Sequence, residues 1–125
     1  MKVCAPITGD GQLDHRWGRA DRVVLAELVN GQITGWDERE VGWSALHDQG
    51  TGGAHHARVV TFLREHGVEA VVAAGMGAGM HHTLQKMGLR VYLGAAGDAR
   101  AAITGSARAG SAGAGPGAPP VPPAP

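Results

Sequence analysis

Apolar runs of five to eight residues, separated by glycine-rich turns, divide the chain into short segments. "KVCAPI" (2–7) is almost continuously apolar and stops at "TGDG", which predicts a first strand. "RVVLAELV" (22–29) predicts a second. Asn30-Gly31 follows, the strongest short-range hairpin signal, so "QITGWDERE" (32–40) is expected to return as an antiparallel third strand. Residues 41–53 are glycine-bearing and polar and read as a loop. From Gly53 to His66 the pattern changes to a helical one, with Val59, Val60, Phe62 and Leu63 as the apolar stripe and Gly67 as C-cap. "EAVVAAG" (69–75) carries no charge after its first residue, as a strand covered on both faces does. "MGAGMHHTLQKMG" (76–88) predicts a helix and "LRVYLGA" (89–95) a last strand. A short helix over 97–107 follows, with Asp98 at its positive end.

The order βββαβαβα is a hairpin meander followed by two crossovers. Right-handed crossovers place the helices on the faces of a five-stranded mixed α/β sheet. With strand one beside strand four, the order is 3-2-1-4-5 and only strand two runs backwards. The loops after strands one, three and four then share one edge. In open α/β sheets, ligands bind at the carboxyl ends of the strands near the topological switch.

Composition limits the folded part. From Gly105 onward "GSARAGSAGAGPGAPPVPPAP" has almost no large apolar side chain. Such a stretch buries too little surface to offset its ordering entropy. The expected organisation is one domain over 1–104 and a disordered Gly/Ala/Pro-rich tail over 105–125. Eleven basic and eleven acidic residues leave no net charge and no basic stripe, which excludes the electrostatic footprint of a nucleic-acid binder. No long apolar run or leader pattern occurs, so a cytoplasmic protein without membrane contact is expected. A single cysteine, Cys4, excludes an internal disulfide and a cysteine-rich zinc site. Inside strand one, it reads as a buried structural thiol, with a thiolate ligand as the alternative.

Histidine is the chemistry-bearing residue. There are seven, and the predicted topology brings His15, His47, His55, His56, His81 and His82 to the carboxyl edge, leaving only His66 opposite. Neutral imidazole suits iron, copper and zinc. His55 and His56 open a helix behind "GTGG", where Gly52 and Gly53 let a bulky group approach the backbone. On a helical wheel both lean toward the apolar half. They read either as a ligand pair or as a capping histidine beside a half-exposed one. In "DHRWGRAD" (14–21), His15 offers a donor and Arg19 an anion-binding fork. The alternative there is a polar loop with Trp17 anchored on the core and Arg19 paired with Asp14 or Asp21. "GMGAGM" (75–80), with Gly75 and Gly77, leaves free N–H groups at a helix start that favour an anion, although it is not a dinucleotide fingerprint. Met76 and Met80 fall on a core stripe with Leu84 and Met87, from which His82 points away and which His81 flanks. No G-x-S-x-G occurs, and no carboxylate lies within strand one or within strand four beyond Glu69, so neither a hydrolase elbow nor a two-metal nuclease centre is present.

Together, "MKVCAPITGDGQLDHRWGRADRVVLAEL", "GGAHH" and "FLREHGVEAVVAAGMGAGMHHTLQKMGLRVYLGAAGDARAAI" resemble the dinitrogenase iron–molybdenum cofactor biosynthesis domain family over residues 1–104. The most specific pieces are the His-aromatic-Gly-Arg turn, here His15-Arg16-Trp17-Gly18-Arg19, and "GVEAVVAAGMG…GLRVY". In the family histidine more often precedes phenylalanine directly, so Arg16 and Trp17 are departures. The resemblance implies a ribonuclease-H-like fold. It also implies a non-enzymatic carrier or accessory protein for iron–sulfur or iron–molybdenum clusters, with cluster-assembly proteins as partners. His15, His47, His55 and His56 are then the expected metal ligands. Arg19, Gly52, Gly53, Gly75 and Gly77 are expected to cradle the cargo. A metal-free regulatory or scaffolding module, binding a partner protein or small anion at the same edge, is the alternative.

Overall fold

The computed structural model describes residues 1–47 and 52–112. Its elements are β1 (Lys2–Ile7), β2 (Arg22–Val29), β3 (Gln32–Glu40), α1 (Trp43–His47), α2 (Gly52–Glu65), β4 (Ala70–Val72), α3 (Ala78–Lys86), β5 (Arg90–Tyr92) and α4 (Ala99–Ala112). The strands form one five-stranded sheet in the order β3-β2-β1-β4-β5. β2 is antiparallel to β1 and β3, whereas β4 runs parallel to both β1 and β5. The expected mixed α/β architecture is therefore the observed one. Asn30 and Gly31 both take positive φ, 53° and 77°, as the two central residues of a type I′ hairpin turn must.

The period-two alternation of the strands explains the two-sided core. Cys4, Val23, Leu25 and Val71 belong to one buried cluster, with Val59 and Leu63 of α2 and Met80 and Leu84 of α3. Val3, Ala5, Ile7, Val24, Ala26, Ala70 and Val72 belong to the other, with Ala99 and Ile103 of α4. Each fully buried valine, leucine or isoleucine contributes roughly 1.5–3 kcal/mol relative to an exposed one. Cys4 is wholly buried, and desolvation pushes its thiol far above the ordinary range. It fills the core as a neutral group, which agrees with the structural reading.

Two local expectations are corrected. The segment read as a loop over 41–53 contains the short helix α1. Trp43 of that helix is buried, with its ring edge-on to Trp17 at 5.5 Å and to Phe62 at 5.6 Å. This aromatic stack fixes a turn too short to stand alone. β4 and β5 are shorter than their apolar runs because both chains leave the ladder at the carboxyl edge, β5 through Gly94 at φ 83°. α4 runs from Ala99 to Ala112, so residues 105–112 are helical. Ala99, Ile103 and Ala107 recur every four residues and pack on the sheet, and Asp98 Oδ2 accepts the Ala101 N–H at 2.9 Å. Residues 113–125 lie outside the described residues.

Ending the chain after Thr104 would remove the Ala107 contact and the last turns of α4. It is expected to lower the melting temperature by roughly 4–8 °C, the shift that about 1 kcal/mol produces in a domain of this size. Ending it after Ala112 keeps those contacts. An unchanged melting temperature after the shorter cut would show that this part of α4 adds nothing.

Candidate functional site

The turn after β1 is built by local hydrogen bonds. Asp14, only 7% exposed, accepts the Arg16 backbone N–H at 2.9 Å, and Arg16 Nε and Nη2 reach its two oxygens at 3.2 Å each. Asp14 donates its own N–H to the Pro6 carbonyl at 2.9 Å, tying the turn to β1. Arg16 is thus the clamp of the turn. Burial alone would raise the Asp14 carboxyl. The Arg16 hydrogen bonds and charge, with a smaller contribution from His15, outweigh it and hold the group below its ordinary value. A depressed folded value gives stability that is present above the unfolded value of about 3.9 and lost as pH falls through the folded one. Asp14→Asn is therefore expected to flatten the acid side of the stability profile. Urea midpoints at about pH 6 and pH 2.5 should fall less for the variant than for the wild type; equal falls would remove Asp14 from the acid response.

Trp17 follows, 3% exposed and anchored on the core, as the alternative reading of this turn expected. Its indole N–H is buried and has no hydrogen-bond partner among the described residues. Leaving such a donor unpaired costs on the order of 1–3 kcal/mol.

α2 brings its first turn against this turn. His55 is 2% exposed and shares the buried stripe of Val59 and Leu63. Its Nε2–H donates to the Gly18 carbonyl at 2.6 Å, and its Nδ1 accepts from Arg58 Nη1 at 3.1 Å. Those roles specify the neutral Nε2–H tautomer. Arg58 Nη1 also donates to the Leu46 carbonyl at 3.4 Å. One imidazole thus joins the β1 turn, α1 and α2. Both ring nitrogens of His55, one of the expected metal ligands, are engaged within the protein. Arg58 has only its position three residues after His55 as a sequence signal.

His56 faces the next element. It is half-buried, and its Cε1 lies 3.7 Å from where a Cβ on Gly79 would stand. Gly79 belongs to the first turn of α3, whose N-cap Gly77 supplies no side-chain cap. The first N–H groups of α3, from Ala78 to Met80, have no carbonyl a turn earlier to bind and favour an anion. A Cβ at Gly75 or Gly77 would meet nothing within 4 Å, so the loop is open space. Met80 is buried and Met76 half-buried against the same cluster, the core role that their spacing predicts.

The remaining expected residues are placed as follows. His15 is exposed on the turn, His81 is half-buried and His82 exposed on α3. No hydrogen bond engages the imidazoles of His15, His56 or His81 among the described residues. Arg19 is exposed and makes an interaction of its own. Gly52 and Gly53 open α2. His47 ends α1, and its side chain lies outside the described residues. His66, past the far end of α2, stacks on Phe62 at 4.5 Å. Among the described residues, no three His, Cys, Asp or Glu side chains are grouped to hold a metal ion. Two open clefts lie elsewhere, one beside Trp43 and Phe62 and one beside Met1 and Glu69. The edge itself is a surface, with Gly77, Ala78 and Gly79 exposed. No described helix is long and apolar enough to cross a membrane.

This sheet order, with the crossover helices α2 and α3 on one face and α4 on the other, defines an open α/β domain of the ribonuclease-H-like class. The chain belongs to the dinitrogenase iron-molybdenum cofactor family, whose model matches residues 1–108. It is similar to a putative NifB protein from Thermotoga, TM1290, described as a DUF35 family member and solved by NMR. The TM-score is 0.65 at 25% identity, covering 86% of this chain and 87% of that one. The crystal structure of PH0822 shares the fold, with a TM-score of 0.67 at 18% identity over 83% and 86% of the two chains. No curated protein matches the sequence.

Proposed function

We propose that the protein is a non-enzymatic carrier or accessory protein that binds an iron–sulfur or iron–molybdenum type cluster during cofactor assembly in the cytoplasm, and passes it to assembly partners. The observation that carries this reading, within a cofactor family, is the meeting of three tips at the carboxyl edge. Gly18 lies on His55, His56 lies on Gly79, and α3 begins without a cap. His15 and His56 are the donors, with His81 flanking and His47 on the same edge. The uncapped N–H groups of α3 and the Arg19 guanidinium face the anionic charge of bridging sulfides. His55 acts by holding the turn.

A cluster spans several metal atoms, so its donors need not converge on one point as they must for a single ion. Few, separated donors on an open surface also suit cargo that has to leave. The test is anaerobic reconstitution with ferrous iron and sulfide, followed by desalting. A brown protein that retains iron and sulfide supports the reading. A colourless one replaces it with the metal-free module that binds a partner protein or small anion.

A further inference from the structure

We propose that the cleft between the end of β3, α1 and α2 is a second binding site, which takes a small monocarboxylate with an apolar body and transmits its occupancy to the β1 turn through Arg58 and His55. The site is separate from the three tips of the carboxyl edge and does not depend on what they carry.

Three observations carry it. The cleft has a volume of about 550 Å³, within the range of small-molecule sites, and Val41, Trp43, Leu46 and Phe62 give it apolar walls. Arg58 lines the same cleft as a half-buried cation. Its hydrogen bonds among the described residues are all made by Nη1, to the His55 ring and the Leu46 carbonyl, and no carboxylate there pairs with it. Burying a charge is costly until it is paired, and the uncommitted Nε and Nη2 match the two oxygens of a carboxylate. Finally, Glu40 and Glu65 also line the cleft. Arg22 engages Glu40 at 2.9 Å, whereas Glu65 is exposed and makes no ion pair among the described residues. Two carboxylates repel a dianion more than a monoanion, so a single negative charge suits the cleft. A carboxylate on Nε and Nη2 leaves Nη1 on His55. It fixes the arginine, and with it the imidazole that holds the Gly18 carbonyl.

The experiment titrates the full chain with phenylpropionate, its neutral amide phenylpropionamide, and phenethyl phosphate, followed by proton–nitrogen NMR. Phenylpropionate is expected to shift the amide signals of Leu46, Ala57, Thr61 and Phe62 together with the His55 ring signals. It should bind at least about tenfold more tightly than the amide or the phosphate, the ratio that one charge-assisted pair produces. Arg58→Gln should abolish the preference for the acid. That change also disturbs the His55 contact, so Thr61→Glu stands beside it. An added carboxylate at this exposed lining position should weaken phenylpropionate about tenfold and leave the melting temperature unchanged. Equal binding of acid and amide overturns the proposal. So does acid binding that moves the His15, Gly77 and Ala78 signals while those of the cleft stay still, or the absence of any shift with the acid in millimolar excess. None of these results touches the cargo reading, which is tested separately by retained iron and sulfide.

Discussion

Replacing His55 with alanine is expected to destabilise the domain by about 2–4 kcal/mol, the largest loss of any histidine substitution. The imidazole is 2% exposed, and its removal does three things. It leaves the Gly18 carbonyl without its donor, it leaves Arg58 Nη1 with only the longer contact to Leu46, and it opens a void beside Val59. A buried group left unpaired costs its desolvation penalty, and the void adds to it. The check is urea unfolding at neutral pH, with His56→Ala beside it. His56 is half-buried and makes no hydrogen bond among the described residues, so its loss should stay within about 0.5 kcal/mol. Equal, small losses for both variants would show that the Gly18–His55–Arg58 connection does not hold the edge together.

The double change His15→Ala and His56→Ala is expected to do the reverse, sparing stability and lowering cluster affinity at least tenfold, as the loss of metal-orienting groups does. Among the described residues neither imidazole makes a hydrogen bond, so deleting them leaves no described partner stranded. His66→Ala is the control, because that ring stacks on Phe62 at the opposite end of α2. The readout is iron and sulfide retained per chain after reconstitution and desalting, with melting curves to show that the variants are folded. Full retention in the double variant, together with loss in Cys4→Ala, would move the site to the thiolate. The wholly buried and strongly raised Cys4 thiol argues against that result. Comparing His55→Ala with the double variant separates scaffold from donor: the first loses cluster because the turn loosens, the second without unfolding.

The features that a local pattern could specify were readable in the sequence. β1, β2 and β3 occupy the ranges their apolar runs predict, because strand alternation and the Asn30-Gly31 turn are properties of adjacent residues. Gly67 and Gly88 end α2 and α3 at φ 64° and 84°, a conformation that side chains disfavour, so the glycines themselves mark the stops. The sheet order followed from chain direction and crossover handedness, and with it the gathering of histidine-bearing tips at one edge.

Tertiary packing decided the rest. α1 exists because Trp43 is wedged between Trp17 and Phe62, residues from other elements. α4 is held by the buried Ile103, flanked by Ala99 and Ala107, against the sheet, an advantage that composition alone conceals. At the site, the wheel put His55 and His56 together on the apolar side of α2, and the fold gave them different work. His55 met a carbonyl 37 residues away and became a fastening, whereas His56 met the glycine of a helix that begins without a cap. A side chain's lone pair is available for a ligand only when no internal partner takes it, and which partners stand within 3 Å is settled by the packing of distant segments.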